Sequence, residues 1–135
     1  MKFRDLEKEA PNDWLPENYP SSLTEWYLSV RDTPLEQLNV GDVCRTLRQG
    51  LFIREVLPIA VAILIDDVLA GERYDGELVA ALAGVNTCYW QASSNATLQT
   101  ICALNEVDRL TNDAELLRDS SNLKRMLGDL MGNKQ

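Results

Sequence analysis

At 135 residues, with 45% apolar residues and no histidine, the chain is long enough to close one hydrophobic core without metal or disulfide staples. Asp and Glu number 21 against 13 Lys and Arg, a formal charge of −8, so the surface repels nucleic acid and anionic membrane and favours basic partners. The lack of histidine excludes His-based acid–base catalysis, Ser-His triads and HExxH zinc chemistry.

Residues 1–21 read as a proline-interrupted arm. Phe3, Leu6, Trp14 and Leu15 are apolar anchors among acids, and Pro11, Pro16 and Pro20 break any helix. The arm either lies on the domain, residues 22–135, or stays mobile. Residues 1–14 are charged throughout and carry no apolar signal segment, which predicts a soluble, cytoplasmic protein. The first helix starts at Ser22, where Ser22 and Glu25 form a capping-box pattern and Leu23, Trp26, Tyr27 and Val30 share a face. Thr33, Pro34 and Glu36 repeat the signature and predict a turn or two ending at Leu38. A third helix over 40–49 buries Val43, Leu47 and Cys44 and turns Arg45, Arg48 and Gln49 away. Gly50 interrupts it.

The next helix is expected over 52–65, with Pro58 either kinking it or marking a start near Leu57. Val, Ile and Leu also suit a strand, but Ala60, Ala62 and the helical patterns on both sides favour the helix. The apolar run from Val56 to Ile65 is about half of what a bilayer span requires. Asp75 is placed to cap a helix over 76–83, with Leu78, Val79 and Leu82 inward, Glu77 in the first turn and Gly84 at the stop. Tyr89 and Trp90 precede a Ser-rich turn, and a helix over 95–110 follows. The segment 113–131 is expected to break near Ser120–Asn122 into two helices. These patterns predict an all-α fold, a compact single-domain bundle of about six to eight helices around a central apolar helix.

Little in this inventory supports catalysis, and no cofactor or metal is implied. Glycines sit singly at element boundaries, without a phosphate-binding pattern. Cys44, Cys88 and Cys102 are an odd, widely spaced set that reads as buried free thiols, with Cys44 a quiet core thiol rather than one activated by Arg45. The acidic stretch of Asp66, Asp67, Glu72, Asp75 and Glu77 lacks the alternating spacing of a calcium loop. Two readings of it stay open and coexist. In one, Asp75 caps, Glu77 complements the helix dipole, and Asp66 and Asp67 are solvated. In the other, Asp66, Asp67, Glu72, Asp75 and Glu77 face lysines and arginines of a bound protein around Tyr74, a half-buried anchor. Arg48 and Gln49 are read as structural polar residues, Arg48 either solvated or paired with Asp42, Glu55 or Asp75. Trp26, Tyr27, Tyr89 and Trp90 belong in the core more readily than at an interface.

From Leu23 to Leu82 the chain resembles the immunity proteins of bacterial contact-dependent growth inhibition systems. The resemblance rests on an ordered series: Trp26, then Thr33 to Leu35, Val40 to Asp42, Arg48 with Gln49, Leu57 with Pro58, and Tyr74 to Leu78. The chain departs from it at Val68, where a proline is expected. The resemblance implies a small antidote, monomeric or weakly dimeric when free, that binds the C-terminal toxin domain of a delivered effector. Those domains are commonly nucleases, including tRNA-cleaving ones, so the implied partner is basic, with no direct contact to nucleic acid or membrane. The alternative is an acidic helical adaptor or regulatory subunit for another basic protein.

Overall fold

The computed structural model describes residues 1–7 and 22–132. The Ser22 cap and the arm's Pro11, Trp14, Leu15, Pro16 and Pro20 therefore lie, wholly or in part, outside the described residues. Within them the fold is all-α. Its helices are α1 (Phe3–Leu6), α2 (Ser22–Val30), α3 (Val40–Gln49), α4 (Ile53–Asp66), α5 (Glu77–Ala83), α6 (Thr87–Gln91), α7 (Ser94–Leu104), α8 (Val107–Leu110) and α9 (Ala114–Gly132), with a 3-10 turn at Leu35–Gln37.

Helix α3 shows why local chemistry sets an element's bounds. The Asn39 side chain accepts from the Asp42 amide at 2.8 Å, satisfying a donor that the first turn leaves free. At the other end Gly50 takes a left-handed φ of 71° and donates its amide to the Leu47 carbonyl at 3.1 Å. Between the caps, Val43, Cys44, Thr46 and Leu47 face the core.

Helix α4 sits at the centre, touching α3, α5, α6 and α7. It begins at Ile53, not near Leu57, and runs through Pro58. Pro58 and Arg54 both lie on the exposed side, so water reaches the Arg54 carbonyl that the proline leaves without a donor. Ile53, Val56, Leu57, Ala60, Val61 and Leu64 form the buried face. The helix is not sealed all round, since Pro58, Ala62 and Ile65 face outward.

The N-terminal residues dock on this core. Phe3 is fully buried, its ring 5.6 Å from both Tyr27 and Phe52, and Glu7 accepts from the Tyr27 hydroxyl at 2.6 Å and from Arg31. Three expected boundaries differ. Tyr89 and Trp90 sit on a short helix of their own, capped by Asn86, with Trp90 fully buried. The helix expected over 95–110 stops at Leu104: exposed Asn105 and Glu106 form a turn, and the chain resumes as α8 at buried Val107. Helix α9 is unbroken: Leu116, Ser120, Leu123 and Leu127 make one buried stripe at spacings of four, three and four, with Ser121 and Asn122 on the outer face. Burial along the stripe outweighs the weak helix propensity of the Ser-Ser-Asn run. Asp113 supplies its start, accepting from the amides of Glu115 at 2.9 Å and Leu116 at 3.2 Å.

Candidate functional site

The chain from the end of α4 to the start of α5 is a loop wrapped around one carboxylate. Asp67 leaves the helix with an extended backbone, and its side chain accepts from the Leu69 amide at 3.0 Å. The loop closes on itself where Gly76 donates to the Leu69 carbonyl at 2.9 Å and Leu78 to the Ala70 carbonyl at 3.1 Å. Gly71 lets the strands of this knot approach, since a Cβ there would lie 2.0 Å from the Tyr74 carbonyl oxygen. Inside sits Glu77, only 1% exposed. Its Oε1 accepts from the amides of Glu72 at 2.9 Å and Arg73 at 3.2 Å, and its Oε2 accepts from Arg48 Nη1 at 2.9 Å.

Burial by itself would raise the pKa of Glu77. The two amides and the Arg48 guanidinium override it, and the carboxyl is held below its ordinary value. Glu77 is thus turned inward, where the sequence pattern had placed it among surface carboxylates. Arg48 bridges α3 to α5, an internal pin as expected, but through Glu77 and not through Asp42, Glu55 or Asp75. Gln49 is exposed at the end of α3. Asp75 does not cap α5: Gly76 occupies the N-cap with φ 88° and no side-chain cap, and the first amides of the helix donate instead to loop carbonyls, Glu77 to Tyr74 at 3.2 Å and Leu78 to Ala70 at 3.1 Å. Asp66, Asp67, Glu72 and Asp75 are exposed, and Tyr74 among them is 55% exposed, more open than a half-buried anchor.

Residues far apart in the sequence meet beside this loop. Trp26 donates its indole N–H to Asp42 at 3.0 Å, and the Arg45 guanidinium lies 5.0 Å from the Trp26 ring centroid. Together with Arg48, Glu72, Arg73 and Glu77 they surround a pocket of about 310 Å³. Its acids and bases balance, so it is a cross-linked frame under the acidic loop rather than a charged docking face. Arg45 does not activate Cys44. Burial first, and the Glu77 charge next, push that thiol up to about 12. Cys88 and Cys102 are free but exposed, not buried as their number and spacing suggested.

Asp66 and Asp67 stand on a ridge between two grooves. One lies along the outward face of α4, and the other is lined by Ile65, Val68, Glu106 and Leu110. Ile65 and Leu110 are more than half exposed. Sequence reasoning missed these apolar neighbours because their spacing continues the core pattern of their helices; only the tertiary arrangement leaves them uncovered. Among the described residues no group of three Cys, Asp or Glu side chains is placed to hold a metal ion, and no helix is long and apolar enough to cross a membrane.

No curated protein matches the chain. Comparison with protein families matches residues 8–100, more than half of the chain, to the CDI immunity proteins. That match spans α2 to α6 and most of α7, including the frame of Trp26, Asp42, Arg48 and Glu77 and the acidic loop it supports. The chain belongs to the CDI immunity proteins, antidotes of contact-dependent growth inhibition that act on a cognate toxin.

Proposed function

We propose that this chain neutralises a basic nuclease, a tRNA-cleaving one among them, by setting its acidic loop against the cleft where the toxin domain binds nucleic acid. The observation that carries the reading is that Asp66, Asp67, Glu72, Tyr74 and Asp75 are all exposed, at the end of α4 and along the loop tied to buried Glu77. Carboxylates fixed on a rigid loop substitute for phosphates at modest entropic cost, and their shared sign speeds the encounter with a basic surface. Tyrosine adds apolar area with a polar tip. Glu77 contributes by positioning, not by contact. In this reading the free protein is a monomer or weak dimer working in the cytoplasm, where the incoming toxin would act.

The test is direct. The C-terminal domain of the effector encoded beside this gene is produced in cells with and without this chain, and the purified pair is titrated. Growth rescue and a tight complex are expected. The double substitution Asp66→Lys and Asp75→Lys should then raise Kd by about ten- to a hundredfold and flatten the salt dependence. Neither side chain caps a helix, so the melting temperature should stay near that of the parent protein. Undiminished, salt-insensitive binding by the double variant would clear this loop of any role.

A further inference from the structure

The groove along the outward face of α4 has a volume of about 730 Å³ and lies between that helix, the 3-10 turn and the loop that follows α4. Its floor includes Ile59, Ala62 and Ile63, and the titratable side chains on its rim are Glu36, Asp66 and Asp67, every one an acid. An apolar trough with a rim of a single sign selects its occupant. Filling it removes aliphatic surface from water, which favours apolar side chains, whereas the rim draws cations and repels anions. Residues 8–21 carry Lys8 against Glu9, Asp13 and Glu17, so their charge has the sign of the rim. A second copy meeting this groove with its own groove would bring the same acids to face themselves, and the copy as a whole shares their sign at a net charge of −8.

We propose that this groove seats a segment of the toxin domain in which apolar side chains are flanked by lysines or arginines, so that docking combines insertion beside Ala62 with pairing at Glu36, Asp66 and Asp67. This rests on the neutralisation reading and deepens it: the acids at the end of α4 are the polar border of an apolar seat, not a free-standing charged patch. Interfaces of this build place their energy in the apolar centre and their specificity in the charged border.

The discriminating substitution is Ala62→Glu. It adds an acid to a face that already attracts bases, so a purely electrostatic contact keeps or gains affinity, whereas an apolar seat is blocked. Ala62 is exposed on α4, so the variant should melt with the parent protein. Ala62→Phe puts a bulky ring on the groove floor, where a docked side chain would lie, without adding charge and serves as the second probe. Titrated with the same purified effector domain, both variants should bind at least about tenfold more weakly than the parent chain. Binding of both within about twofold of the parent overturns the proposal. If that result accompanies a loss in the Asp66→Lys, Asp75→Lys chain, the neutralisation reading stands and the groove alone is excluded. A free parent chain that sediments as a dimer and becomes monomeric on Ala62→Glu assigns the groove to a second copy and overturns it. If the parent chain does not bind the effector domain, the neutralisation reading fails and the groove proposal falls with it.

Discussion

Replacing Glu77 with alanine should lower the unfolding free energy by about 3 kcal/mol, measured by urea denaturation at neutral pH. The carboxylate accepts from two backbone amides and one guanidinium, and the alanine variant strands all three donors. The Arg48 side chain is 36% exposed and can rehydrate, which keeps the expected loss at the low end for a broken buried pair. Arg48→Met, which leaves the two amide bonds in place, should cost only about 1 kcal/mol. Glu77→Gln should fall between them, because an amide nitrogen facing Arg48 opposes donor to donor. A loss below about 1 kcal/mol for the alanine variant would mean that Glu77 does not hold the loop. The same residue gives a pH signature. Its folded pKa lies below the ordinary 4.5, so the folded state binds this proton less tightly than the unfolded chain. Its contribution is therefore complete above the ordinary carboxylate range and is lost as pH falls through and below it. The acid limb of the stability curve should be shallower in Glu77→Gln. On the proposed reading, toxin affinity should drop in Glu77→Ala as well, since freeing the amides of Glu72 and Arg73 releases the neighbours of Tyr74 and Asp75.

The second large effect is expected at Gly76. Its φ of 88° is one that residues with a Cβ rarely adopt, and an added Cβ would lie 2.4 Å from Leu116 Cδ1. Leu116 is buried at the start of α9, where α5 and α9 pack together, so it cannot swing into solvent without opening the core. Gly76→Ala should therefore cost about 2–3 kcal/mol, the left-handed strain added to the cost of overpacking. Gly50 is the internal control. It has a similar φ of 71° but nothing within 4 Å of a Cβ, so Gly50→Ala should show the strain alone, about 1 kcal/mol. Equal losses at the two glycines would show that Leu116 yields freely and that the α5–α9 contact is softer than its packing implies.

Where two signals agreed, the sequence was readable. Helix α3 keeps its expected bounds because Asn39 and Gly50 close it chemically while Val43 and Leu47 set its face. Helix α4 is displaced by a single residue at each end, since its apolar run is long compared with any boundary ambiguity. The failure at Ser120–Asn122 has the opposite origin, in that a local propensity was weighed without the stripe that crosses it. In the loop, the composition showed a concentration of acids but not which of them faces inward. The direction of Glu77 depends on Arg48 arriving from α3, a meeting no periodicity encodes. The groove was illegible for a related reason. Ile59 and Ile63 have the spacing of core residues, and only the position of the neighbouring elements leaves them lining a trough.

The packing of α5 between α3 and α9 also bears on how a newborn chain acquires its protective form. Synthesis delivers α3, α4 and the acidic loop first, yet Leu116, against which Gly76 closes, arrives much later. Until α9 clears the ribosome, the far side of α5 has no cover and the loop that precedes it has only half its support. The loop should therefore reach its final form only once α9 is in place, and a released chain truncated at Thr111 should be cleaved by protease between Asp67 and Gly76 while the chain that includes α9 resists.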